Sequence, residues 1–395
     1  MGVSGPDTTR RPPARARKAI VGAIRAAAQP IAEPVVAILL ALLVGAVGIT
    51  LCSGLLAGHK NFDVGLPAAA YLALLGGVAS PSGITSTLNY STPLILAGLG
   101  VGLGFKAGLF NIGGRGQFLF GTVGAMAVAT TVGASQNEYI TVPLALLAGA
   151  AFGAAAGFIP GFLKATSGAH EVVTTIMLNY VFVFVTYWAI SGPLSLPNAH
   201  QPITADVTNR NAALPIILGQ DGHAGILLAL AAVPIMWFLL YRTTLGFEIR
   251  SAGANPDAAR YGGMKTNRLI VLTMSIAGLM AGLAGATTLM GVVHQIEPGY
   301  DTTVGFDAIT VALLGRSNPV GILFSGLLLG AMRAGSQTMQ VQAGVPAELV
   351  DALQAIILVF LVVNALRRWL DRRAAKRGST PAADGGAAQV AEGVA

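Results

Sequence analysis

Two short polar segments interrupt an apolar chain, and their residue types are those that hydrogen-bond a polar solute or one another. The first, Gly108-Leu-Phe-Asn-Ile-Gly-Gly-Arg-Gly-Gln117, sets Asn111, Arg115 and Gln117 among glycines that permit a tight backbone. By composition it reads either as a glycine-rich turn with solvated side chains or as donors and acceptors gathered at a cavity. The second, His170 to Tyr180, spaces Glu171, Thr175 and Asn179 at i, i+4 and i+8, one polar stripe on an apolar helix. Such a stripe faces either a water-filled path or a neighbouring helix. His170-Glu171 begins like a zinc-protease motif, but Thr174 stands where the second histidine is needed.

A third segment, Arg242 to Arg268, carries Arg242, Arg250, Arg260, Lys265 and Arg268 against only Glu248 and Asp257. Its interior predicts a compact helix. Asn255 suits the cap, Pro256 the first helical position and Asp257 the positive end of the dipole, and Gly262-Gly263 supplies the stop. A rigid, capped, basic helix at a membrane face suits docking against a soluble partner.

Chemistry of the chain's own is not evident. None of the six lysines follows a glycine, so the GK pair of a phosphate-binding loop is absent. There is no GxSxG elbow and no clustered set of metal ligands, so neither a cofactor nor a metal is expected. The single cysteine, Cys52, excludes an internal disulfide and reads as a small core residue.

The elements that position these residues are membrane helices. The chain is 54% hydrophobic and 10% charged, with a mean hydropathy of +0.68, whereas soluble domains carry about 25% charged residues. An all-α, polytopic membrane protein follows, with lipid as its surroundings. The apolar runs predict ten spans, near 35–56, 92–109, 115–134, 141–163, 172–192, 223–241, 269–290, 305–319, 320–335 and 348–366. The 66–80 run is short, contains glycine and precedes Pro81, which suggests a half-helix. GRSNPVG breaks the 305–335 region into two pieces, as in helices that build a substrate path.

Seventeen of the 24 Lys and Arg lie in the N-terminal tail through Arg25, the 242–268 segment and the tail from Arg367. This is the positive-inside pattern, and it argues against a nucleic-acid groove. It places both termini and 242–268 in the cytoplasm, and 193–222 and 291–304 outside. The chain divides into a basic N-terminal tail (1–34), a membrane domain (35–366) and a C-terminal tail (367–395), basic and then disordered. The basic start is not read as a cleaved signal peptide, because its apolar run begins late and many more follow. Asp307, Arg316, Arg333 and Asp351 lie in or beside the late apolar runs, where the arginines are expected to snorkel at helix ends, with an intramembrane ion pair as the alternative. Tyr187, Trp188, Trp237 and Tyr241 are expected to anchor at the membrane interface.

Four stretches, GLFNIGGRGQ at 108–117, HEVVTTIMLNY at 170–180, LGFEIRSAGANPDAARYGGM at 245–264 and GFDAITVALLGRSNPVGI at 305–322, resemble the permease subunits of bacterial ABC importers. The group is the ribose and branched-chain amino acid permease family, with the nucleoside and simple-sugar permeases most alike, and the likeness runs from about 35 to 366. The resemblance implies a separate ABC ATPase subunit, a second related permease, an extracytoplasmic substrate-binding lipoprotein and a small-molecule substrate, at the bacterial plasma membrane. It implies that 245–264 docks on the ATPase, which selects Glu248, Arg250, Asn255, Ala258, Arg260 and Tyr261 as coupling residues. Asn111, Gln117, Glu171, Thr175 and Asn179 are then the residues assigned to the translocation path. Nucleosides are favoured over simple sugars as cargo. The competing class is a secondary transporter driven by an ion gradient, with Glu171 and Asp307 as its buried acids. An intramembrane enzyme would need a catalytic constellation that the sequence lacks.

Overall fold

A computed structural model of the chain describes residues 35–51, 63–133, 135–219, 221–360 and 363. The tails expected over 1–34 and 367–395, and Cys52, lie outside the described residues. Two compact units are present. One, residues 42–355, contains all the sites discussed below; the other takes its described residues from 35–41 and from 356 onward and buries Ala37, Ala41 and Ile357.

The helices are α1 (Val35–Leu51), α2 (Leu66–Ala79), α3 (Pro81–Lys106), α4 (Gly114–Thr131), α5 (Glu138–Ser167), α6 (Glu171–Ser191), α7 (Gly225–Arg242), α8 (Thr244–Ala254), α9 (Pro256–Tyr261), α10 (Thr266–Thr288), α11 (Val304–Leu314), α12 (Pro319–Ala343) and α13 (348–360). A π-helical turn, Leu289–Val293, extends α10, and the 193–222 segment holds a small antiparallel pair, β1 (Ile216–Leu218) and β2 (Gly222–His223). The expected all-α membrane architecture holds. Among the described residues, α3, α5, α6, α7, extended α10 and α12 are long and apolar enough to cross a bilayer, fewer than the ten spans read from apolar runs. In α4, Arg115 and Gln117 in the first turn lower the apolar content.

Both expected breaks are present. Helices α2 and α3 share one hinge residue: the Ser80 hydroxyl donates to the Gly77 carbonyl at 2.7 Å and accepts the Gly83 N–H at 2.9 Å. With Pro81 at its first position, α3 therefore starts well before the expected residue 92. The polar run that disguised this start is satisfied internally, since the Ser91 and Thr92 hydroxyls donate to the Thr87 and Leu88 carbonyls. Helix α11 has 11 residues, about 16 Å of rise against a hydrocarbon core of about 30 Å. Gly315–Asn318 separates it from α12, with Arg316 and Ser317 at positive φ and the Asn318 side chain accepting from Val320 N.

Helix α3 is the axis, the most buried of the candidate spans. Glycines let the others close around it and around α10. A Cβ on Gly153 would sit 2.3 Å from the Gly278 carbonyl, and one on Gly282 would sit 2.2 Å from the Gly149 carbonyl. Backbone-to-backbone packing of α5 on α10 is possible only because those side chains are missing. Their 4-residue spacing keeps the glycines on one face of each helix.

Candidate translocation path and coupling face

The 108–117 segment leaves the end of α3 through Gly108, which has φ +71° and packs on Gly253 of α8. Residues 109–113 then run along the first two turns of α6 as irregular chain, and α4 begins at Gly114. The Asn179 side chain completes the backbone of the segment: the amide donates to the Ile112 carbonyl at 3.0 Å, and the carbonyl oxygen accepts the Gly116 N–H at 2.8 Å. Asn111 accepts the Gly113 N–H at 2.9 Å and exchanges hydrogen bonds with Gln117 at 3.0 and 3.2 Å. Thr175 lies against Gly113, and its hydroxyl donates to the Glu171 carbonyl at 2.7 Å. All five residues named for the path come together here, each less than a tenth exposed. Their hydrogen-bonding capacity goes to one another and to the backbone. Glu171 is matched by Lys164, whose ammonium lies 2.6 Å from its carboxylate.

Irregular chain also enters the bundle from the far end of α10. Thr204 accepts the Ile296 N–H at 2.9 Å beside the 193–222 segment. By Gly305 the chain packs directly on Gly114 and Arg115, at the opposite end of α4 from the Gly133–Arg210 contact. The 291–304 segment is thus more than the external loop expected. It descends through the bundle so that the half-length α11 can begin part-way down, because a glycine at 305 allows backbone contact with α4.

Two ion pairs mark that depth. Asp301 takes both arms of the Arg115 guanidinium, with Nε donating to Oδ1 at 2.7 Å and Nη2 to Oδ2. Asp307 accepts from Arg333 at 3.2 Å and from the Thr303 hydroxyl at 2.7 Å. Arg333 also lies over the Tyr90 ring, 5.9 Å from its centre. For Arg333 the snorkelling expectation is corrected: an acid on α11 is within reach, and pairing offsets the cost of a charge at that depth. The Asp301 side chain remains 47% exposed, which no charge facing hydrocarbon would tolerate. Sequence reading missed Asp301, and nothing in its spacing links it to Arg115 across 186 residues.

The basic segment forms α8 and α9. Asn255 caps α9 as expected, accepting from Asp257 N at 3.1 Å and Ala258 N at 3.0 Å, and Pro256 opens the helix. The two halves differ in availability. Glu248 and Arg250 are half-buried, the Arg250 guanidinium lying 5.2 Å from the centre of the Tyr241 ring. Ala258 and Arg260 are exposed, and Tyr261 is 95% exposed. Arg250 and Arg316 are both electrostatic neighbours of Lys106, so the same end of the bundle collects further positive charge.

Comparison with known proteins identifies the family. A family model described as branched-chain amino acid transport system / permease component matches residues 83–362. The guanosine ABC transporter permease protein NupP of Bacillus subtilis is 38% identical over 80% of this chain and 95% of its own length. The nucleoside ABC transporter permease protein NupB of Lactococcus lactis is 35% identical over 74% of this chain and 82% of its own. The glucose ABC transporter permease protein TsgB13 of Haloferax volcanii is 33% identical over 84% and 87%. No solved structure matches. The chain belongs to this permease family: it is a multi-pass membrane subunit of an ABC transport system, a transport component and not an enzyme.

Proposed function

We propose that the chain is the permease subunit of an ATP-driven importer for nucleosides, coupled to a separate ATPase through α9. The observation that carries the coupling is the capped helix with Arg260 exposed and Tyr261 95% exposed at the basic end of the bundle. Aromatic and arginine side chains held out on a rigid helix are the residue types enriched at interface hot spots, which supports a docking role. By the positive-inside rule that end is cytoplasmic, as are both termini. Closure of the ATPase would push on α8 and α9 and, through Gly253 against the Gly108 turn, tilt the irregular segments between outward and inward access.

The names of the relatives support the cargo and a second permease. Two of the three named above are nucleoside systems, and two permeases are named for each of the guanosine, nucleoside and glucose systems. The paired names support a second, related permease for this assembly, and an external binding lipoprotein is the partner that the sequence resemblance implies. The five residues of the Asn179 knot serve the path by holding its irregular walls. The gradient-driven reading is disfavoured because Glu171 and Asp307 are both matched by a basic residue. The test is co-purification of the chain with an ATPase subunit, followed by reconstitution. ATP-dependent guanosine uptake that persists when ion gradients are collapsed is the expected result. Uptake that needs a gradient and no ATPase would overturn it.

A further inference from the structure

The segment that descends from α10 is bent by a turn at Glu297-Pro298-Gly299-Tyr300, closed by a 3.0 Å bond from Tyr300 N to the Glu297 carbonyl. Proline in the second place and glycine at φ +80° in the third are the residues a type II turn requires. Two cavities, of about 430 and 610 Å³, meet at this turn and share Gly299, Tyr300 and Asp301. The first is an open cleft between the second half of α6 and the turn, lined by Val183, Thr186 and Ile190, with the exposed Phe184 and Tyr187 rings at its edge. The second is a polar mouth that carries Asp206, Glu297 and His294. A Cβ on Gly299 would meet nothing within 4 Å, so the space at the join is open.

Aromatic rings at the edge and a carboxylate at the floor suit a molecule with a flat apolar face and a hydroxylated end. Either cavity would hold a nucleoside by size. Asp301 Oδ1 is filled by Arg115 Nε and the Thr302 N–H, but Oδ2 takes only Arg115 Nη2 and keeps a lone pair, and the side chain is 47% exposed. Asp206, Glu297 and Asp301 put three acids along the route, against Arg115 at its floor. That balance disfavours a phosphorylated ligand.

We infer that this cleft is a cargo site within the permease itself, taking an unphosphorylated nucleoside with its base against Tyr187 and Phe184 and its ribose hydroxyls donating to Asp301. The inference rests on the nucleoside-importer reading. Arg115 is a positioning residue, holding the carboxylate in place. Tyr187, read from the sequence as an interfacial anchor, becomes an edge of the site.

The experiment is photolabelling of the assembled transporter in native membrane vesicles with an azidoguanosine probe. Adducts should map to 184–187 and 299–301, and excess guanosine should protect while guanosine monophosphate at the same concentration should not. Tyr187→Ala should lower labelling about tenfold, the scale expected for one lost base-stacking contact, with Tyr187→Phe restoring it. Asp301→Asn should weaken protection by guanosine and leave protection by dideoxyguanosine unchanged, a distinction that misfolding would not produce. Adducts confined to other segments, or equal protection by the monophosphate, would overturn the site. Vesicles that take up labelled guanosine yet label elsewhere fail the site alone; vesicles that take up no nucleoside fail the functional reading beneath it.

Discussion

Residues 108–117 and 244–261 are both polar insertions between apolar helices, and the fold uses them in opposite ways. The first is drawn inward, where Asn111, Gln117 and Asn179 meet one another and the backbone, all at most 3% exposed. The second stays at the surface, and its capping bonds serve only to stiffen a helix that presents Arg260 and Tyr261. Polar groups satisfied inside a bundle hold shape; the exposed polar and aromatic groups at its end are the ones the proposed coupling would use. Hydrogen-bond accounting therefore separates buried scaffold from exposed surface where composition cannot.

The comparison breaks most visibly at Asn179. Replacing it by leucine strands the Gly116 N–H and the Ile112 carbonyl in a buried place, at about 1–3 kcal/mol for each group. A large fall in the melting temperature of the detergent-purified chain is expected. Gly116→Ala tests the same knot by volume, since its Cβ would stand 2.9 Å from Phe182 Cδ2 and 3.0 Å from Asn179 Cα, an overpacking of about 1–3 kcal/mol. If both variants melted like the parent, the segment would not be the scaffold described.

How much of this was legible in the sequence follows from the reach of each signal. The cap of α9 is local, three residues deciding it, and it formed as read. The i, i+4, i+8 stripe of α6 was likewise local, but whether it faced water or protein depended on Ile112 and Gly116, more than 60 residues away. The start of α3 was obscured because serine and threonine hydroxyls bonded to their own helix look, as letters, like a loop. The Arg115–Asp301 pair joins the first turn of one helix to the approach of another, and no periodicity encodes such a meeting.

The surface half of the comparison predicts loss of coupling without loss of stability. Arg260→Glu and Tyr261→Ala should each change stability by no more than about 0.5 kcal/mol, as exposed substitutions do. In the assembled transporter they should reduce binding-protein-stimulated ATP hydrolysis about tenfold or more, the scale of an interface hot spot. Arg250→Ala sharpens the choice between the two halves. Its side chain is half-buried over Tyr241 and donates to the Gly246 carbonyl, so its loss should lower stability more and coupling less. Coupling lost at Arg250 and kept at Tyr261 would move the contact to α8.

A third kind of polar group is neither shared in a knot nor offered to a partner. His223, at the end of β2, is 2% exposed; its Nδ1 accepts the Gly225 N–H at 3.1 Å, and its enclosed Nε2 has no hydrogen-bond partner among the described residues. Burial, reinforced by the nearby His294, pushes its pKa down from 6.5 to about 4. The folded protein therefore keeps this imidazole neutral while the unfolded chain takes a proton below about pH 6.5. Its contribution to stability is complete above that pH and declines as pH falls from about 6.5 toward 4. The melting temperature of the purified chain should drop over that window, and His223→Gln, which keeps an acceptor for Gly225 and cannot titrate, should flatten part of the drop. An identical slope in the variant would mean that carboxylates alone govern the acid side, and that burying a lone imidazole costs this fold nothing measurable.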